Sequence, residues 1–153
     1  MRRILTICIL AIAGVLAASL AAMGSSHSDS PKTVRVIEHG TTDLVVDIGP
    51  AGDSSGDLIT FHNQVFNPAD TAVVGHDQGQ CVRISPADGS WECTWITFVP
   101  GGAITVEGPF FDTRDSTLAI TGGEGIYSNA RGTMRLTSLA GGTKYIFDFR
   151  LDH

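Results

Sequence analysis

Basic side chains are scarce in this chain: 10 lysines and arginines stand against 16 acids, for a net charge of −6 with histidine neutral. A surface of that sign repels phosphate backbones, which excludes nucleic acid as an expected partner. Cysteine is scarcer still, with three in 153 residues. Without a second cysteine pair or a paired histidine, no zinc site is expected. The nucleotide-binding devices are missing as well. Gly123-Glu124-Gly125 lacks the third glycine and following helix of a dinucleotide fingerprint, and no phosphate loop occurs. No Asn-x-Ser/Thr acceptor is present, and no amphipathic helix of useful length can be traced. Gly52-Asp53-Ser54-Ser55-Gly56 fits the spacing of a nucleophile elbow, but a Pro-Gly turn precedes it and a β-prone run follows. An elbow needs a strand before and a helix after, so this segment reads as a polar loop.

What is present begins with an export signal. Arg2 and Arg3 form a positive head, residues 4–20 an apolar run, and Ala21-Ala22-Met23-Gly24 a small-residue cleavage site. Residues 1–24 are therefore expected to be a signal peptide for general secretion and residues 25–33 a flexible leader. Cys8 lies inside the apolar run with no lipid-attachment motif around it. Cleavage removes Arg2 and Arg3, leaving 8 basic residues against 16 acids and a net charge of −8. No membrane association is expected after that step.

The remaining chain suits one β domain, residues 34–153. Its 18 glycines punctuate short β-prone runs at 34–38, 43–48, 57–66, 72–84, 91–99, 103–107, 117–121, 133–139 and 145–151. The first two runs read as one strand or a strand pair, giving about eight strands in up-and-down order. Gly75 to Gly79 reads as a bulge within the fourth run, and residues 109–116 as the longest connection. Closing such a meander into an antiparallel barrel removes both exposed edges. Tyr145, Phe147, Phe149 and Leu151 share one apolar face of the last strand. Which face of the other strands points inward is left open by their mixed alternation.

Two cysteines survive processing in an exported chain, which favours a disulfide. Folding residues 81–94 about Ala87 sets Ser85 opposite Gly89, Arg83 opposite Trp91 and Cys81 opposite Cys93. Facing residues of antiparallel strands lie within bridging reach. Asp57 and Asp77 stand near glycines and read as turn caps. His62 and His76 read as surface residues, with charge states that change near neutral pH.

The stretch Leu118-Ala119-Ile120-Thr121-Gly122-Gly123-Glu124-Gly125-Ile126-Tyr127-Ser128-Asn129-Ala130-Arg131-Gly132 resembles the signature of the dirigent and allene oxide cyclase barrel superfamily, with Glu124 where a threonine is usual. Gly56-Asp57, Phe61-His62-Asn63-Gln64-Val65-Phe66 and Val74-Gly75-His76-Asp77-Gln78-Gly79-Gln80-Cys81 resemble further segments of that family. Pro100-Gly101-Gly102-Ala103-Ile104-Thr105-Val106-Glu107-Gly108 is similar to its bacterial secreted members.

The resemblance implies an eight-stranded barrel that binds a small apolar metabolite. It implies cyclisation, isomerisation or stereoselective coupling with no metal or organic cofactor; a non-catalytic carrier barrel is the alternative. Homo-oligomers, often trimers, are also implied. By the same resemblance Arg131 is expected either to bind an oxyanion in the lumen or to pin the signature turn through a structural ion pair. Glu107, alternate to Ile104 and Val106 on its strand, is expected to serve as an acid there if buried and otherwise to be solvated. Asn63, Phe61, Trp95 and Tyr127 are expected to contact the ligand. Asn63 occupies a position that is often acidic in plant dirigent proteins, so acid chemistry is not expected from it.

Overall fold

The computed structural model describes residues 32–152. The expected signal peptide and nearly all of the leader lie outside them. Nine strands are formed: β1 (Thr33–His39), β2 (Leu44–Val46), β3 (Leu58–Phe66), β4 (Val73–Ser85), β5 (Ser90–Val99), β6 (Gly102–Phe111), β7 (Ser116–Gly125), β8 (Arg131–Leu139) and β9 (Lys144–Asp152). All pairings are antiparallel, and β1 bonds to both β9 and β3. That closes the sheet. The short β2 lies on the same edge of β3 as β1, so the two act as one broken stave and the barrel has eight.

Inward and outward residues alternate along most of each stave, with register shifts at Val65/Phe66, Arg83/Ser85 and Thr105/Val106. Val34, Val36 and Glu38 share a face on β1, opposite Phe149, Phe147 and Tyr145 of β9. On β3 the inward set is Ile59, Phe61, Asn63 and Val65; on β5 it is Trp91, Cys93, Trp95, Thr97 and Val99.

The two ends of the barrel differ. The filled end is bounded by the turns after β3, β5 and β7, the hollow end by those after β2, β4, β6 and β8. Around the filled end Val65, Ile104, Met134 and Phe149 are at 0% exposure, with Leu118 and Ile120 beside them. The turns there interlock: Ile126 N donates to Gly101 O at 3.0 Å, and Tyr127 lies buried against them with its hydroxyl 3.3 Å from Pro100 O. Gly125, at φ 65°, brings its Cα so close that a Cβ would stand 2.2 Å from Gly101 O. Only glycine supplies both the left-handed backbone and the missing atom.

Three sequence expectations change. The glycines of the signature continue β7 as far as Gly125, and the turn itself is residues 126–130. Gly75 to Gly79 pairs with β3 without a break, and the irregularity lies at its edge, where Val65 meets Gly75 but Phe66 meets Val73. The longest connection is 47–57 rather than 109–116, because β6 extends to Phe111.

The hairpin of β4 and β5 pairs Cys81 with Cys93 and Arg83 with Trp91 as expected, whereas Ser85 meets Ser90 across a register shift instead of Gly89. The Cys81–Cys93 disulfide is formed.

Candidate functional site

The hollow half encloses a cavity of about 90 Å³. Its walls are apolar: Phe61, Trp95, Phe110 and Phe147 supply rings, Ile59 and Leu136 aliphatic surface, and the disulfide one side. Gly79 makes this wall. It stands between Phe61 and Trp95 on the neighbouring strands, and a Cβ there would lie 2.3 Å from the Trp95 Cβ. With hydrogen in that place, Phe61 and Trp95 meet edge to face with ring centres 6.0 Å apart.

Polar groups gather on one side, where Glu38, Asp43 and Tyr145 line the cavity. Asn63 organises them. Its Nδ2 donates to Glu38 Oε1 at 2.8 Å and to Asp43 Oδ1 at 2.7 Å. Its Oδ1 accepts from Thr41 N at 3.0 Å and Thr42 N at 2.9 Å, which fixes the link between β1 and β2. Asp77 lies opposite Asn63 on β4, wholly buried, and its Oδ1 accepts the Asn63 backbone N–H at 3.3 Å. Burial pushes both the Glu38 and Asp77 carboxyls above the ordinary range; the charge of Asp43 raises both further and Glu38 raises Asp77, whereas hydrogen bonding from Asn63 and Asp77 draws Glu38 part of the way back. The Tyr145 hydroxyl is pushed up to about 12, first by burial and then by Glu38 and Asp43. It donates to Gly142 O at 2.8 Å.

Next to the cavity a second polar group ties down the connections of the hollow end. Arg83, pointing inward beyond Cys81, donates from Nε and Nη2 to Asp53 at 2.7 and 2.6 Å and from Nη1 to Asp112 at 2.6 Å. Its guanidinium lies 4.3 Å from the Trp91 ring centre. Asp57 accepts from Ile48 N and Ser54 N, each at 2.8 Å, and these bonds hold its carboxyl below the usual range. Asp57 thus caps a turn as its sequence context suggests; Asp77 does not, being an inward residue of a strand. His62 is exposed and His76 half-buried, their rings 4.9 Å apart.

The structure divides the expected site residues. Phe61 and Trp95 line the cavity, and Asn63 adjoins it through Glu38 and Asp43. Tyr127 lies in the filled end, not in the cavity. The lumenal placement of Arg131 and Glu107 is corrected. Arg131 is exposed, and its Nη1 donates to Thr121 O at 2.8 Å and Ala130 O at 2.7 Å, so it pins the outside of the signature turn. Glu107 alternates with the buried Val106 and faces solvent. Glu38 was missed, although its phase with Val34 and Val36 places it on their inward face. That alternation was the available signal. Asp77 was read as a cap because flanking glycines suggested a turn.

Known proteins share this architecture. A solved pyocyanin demethylase superposes with a TM-score of 0.67 at 26% identity, covering 78% of this chain and 99% of its own. The pterocarpan synthase dirigent protein PsPTS1 gives a TM-score of 0.66 at 17% identity, covering 79% of this chain and 94% of its own. The Diels Alderase AbmU from Streptomyces koyangensis gives 0.63 at 20% identity, covering 79% of this chain and 64% of its own. The two lower identities speak to fold alone. At the level of sequence, the allene oxide cyclase family profile matches residues 24–153. With a closed eight-stave barrel and a profile match over that length, this chain belongs to the allene oxide cyclase family.

Proposed function

We propose that this protein is a secreted barrel that holds a small apolar molecule in its cavity and guides its cyclisation, isomerisation or stereoselective coupling without a cofactor. The observation that carries this reading is the pairing of an aromatic wall with one polar side, Glu38 and Asp43 held by Asn63. Aromatic faces select flat or folded apolar substrates, and a confined, water-poor space holds one conformer for a reaction already downhill. Glu38, lifted above the ordinary carboxyl range by burial, supplies a proton or hydrogen bond to charge developing on the substrate. The names of the superposed proteins, a Diels Alderase and a pterocarpan synthase among them, support a fold suited to such steering.

Export rests on residues 1–24, and the Cys81–Cys93 bridge supports an oxidising compartment. Self-association is carried over from the family. Leu44, Val45, Val46 and Ile48, 40–60% exposed, offer apolar surface for it.

The carrier alternative is favoured by one finding, the solvent-facing positions of Arg131 and Glu107. The two readings separate on Glu38→Gln. A steering enzyme retains ligand binding, seen as tryptophan fluorescence change on titration with a planar aromatic ketone, while product enantiomeric excess and rate fall by about 100-fold or more. A carrier shows binding and no product bias in either form, which would defeat the enzymatic reading.

A further inference from the structure

We propose that Glu38 and Asp77 are a proton-sharing carboxyl pair, in which Asp77 positions Glu38 as a hydrogen-bond donor toward neutral ligands that carry an acceptor oxygen. Glu38 lines the cavity; Asp77 does not, and stands behind it. Asp77 is at 0% exposure, and among the described residues its Oδ2 has no hydrogen-bond donor facing it. None of the ion pairs among those residues involves Glu38, Asp43 or Asp77. A buried carboxylate with an empty oxygen and no cation is strongly unfavourable, whereas a carboxylic acid that donates from that oxygen is not. Asn63 holds both carboxyls, Asp77 through its backbone N–H and Glu38 through Nδ2, which brings Glu38 close enough for its charge to act on Asp77. Asn63 cannot supply the missing donor, since its Nδ2 is already shared between Glu38 and Asp43.

The surrounding groups agree with a neutral pair. From the link after β1, Asp43 adds negative charge; from β9, Tyr145 faces Glu38 as a neutral phenol. From β5, Thr97 lies opposite Asp77, buried, its Oγ1 also without a partner. His39, His62 and His76 sit on the outward alternation of the same strands. Hence, among the described residues, no cation from a packed element neutralises the pair, and protons do. The cavity then offers an O–H, not a second carboxylate. Such a surface prefers a carbonyl, quinone or epoxide oxygen over an ammonium group. Any proton that Glu38 delivers to such an oxygen leaves a Glu38 carboxylate, which accepts the hydrogen bond that protonated Asp77 donates; the product's proton loss restores Glu38.

The ligand half rests on the reading of this cavity as a binding site; the carboxyl pair does not. Carbon-13 NMR of labelled Asp and Glu carboxyls in the full chain, without ligand, tests the pair. Two carboxyls titrating above pH 6 are expected. Asp77→Asn keeps a donor, so it removes the higher step and leaves Glu38 titrating within half a unit of its place. Asp77→Leu lacks the donor and moves Glu38 upward by at least one unit. An Asp77 carboxyl that titrates near 4, or a Glu38 that falls to the ordinary range in Asp77→Asn, would overturn the pair.

Tryptophan fluorescence titrations with acetophenone, its shape mimic isopropylbenzene, and benzylammonium test the ligand class. At pH 6 acetophenone is expected to bind at least fivefold tighter than isopropylbenzene, a preference lost by pH 9.5. Preference for benzylammonium at pH 6 overturns the ligand class. Failure of all three probes to bind, with the NMR steps in place, overturns the cavity reading and leaves the pair standing.

Discussion

The filled and hollow halves of this barrel use the same alternation to opposite ends. Around Phe149, Met134 and Ile104, inward side chains interdigitate until none is exposed. Around Phe61, Trp95 and Phe110 they stand apart and leave space. Between the halves lies the polar row Glu38, Asn63 and Asp77. The difference is one of side-chain volume against ring size: Gly79, with no side chain, occupies an inward place that a large residue would fill. A closed sheet thus supplies a container, and a few residues decide which part of it stays empty.

Truncation should break this contrast most sharply. Phe149→Ala opens a void in the filled half and is expected to cost about 3–5 kcal/mol in urea unfolding, with ligand affinity per folded molecule unchanged. Comparable loss of affinity at unchanged stability would contradict the division. Next in size, joint replacement of Cys81 and Cys93 by serine should remove about 3 kcal/mol, read as a lower denaturation midpoint, because the closed loop is short. Phe61→Ala borders existing space, so about 1–2 kcal/mol is expected, below the usual range for a buried aromatic. Its signature is altered affinity for bulkier aromatic ketones.

A pH experiment sharpens the boundary between the halves. Glu38 and Asp77 hold protons more tightly in the folded chain than in the unfolded one. Their contribution is therefore fully present below the unfolded carboxyl range, near about 4, and is lost as pH rises through their raised folded values. Melting temperature should fall from pH 6 to pH 9, and Asp77→Asn should reduce that fall by at least half. An unchanged slope in the variant would locate the effect elsewhere. Smallest of all, Arg131→Ala removes two bonds to carbonyls and should lower stability by about 0.5–1.5 kcal/mol with no effect on ligand binding.

Closure of the sheet, the broken first stave and the cysteine pairing could all be read from residue order, because each depends on local alternation and turn chemistry. The site was less accessible. Phe61 and Trp95, both expected ligand contacts, line the cavity. Arg131 and Tyr127 were chosen for their closeness to the signature turn, but that turn lies at the filled end, away from the empty space. Glu38 shares the phase of Val34 and Val36, but a strand of only seven residues carries too short an alternation to single out an acid at its end. Asp77 was concealed by Gly75 and Gly79, whose ordinary meaning is a turn; here Gly79 makes room for an indole. Pattern reveals which residues alternate, whereas the stagger between staves decides which of them share a level.

One consequence follows from the position of the interlocked glycine turn. The most recognisable stretch of the chain acts as a stopper at the base of the vessel, remote from whatever enters it. Homologues recruited by that stretch share a bottle, and their contents are free to diverge. The informative label is the ring formed by positions 38, 43, 63, 77 and 145, and relatives grouped by those five side chains should sort by chemistry where grouping by the stopper cannot.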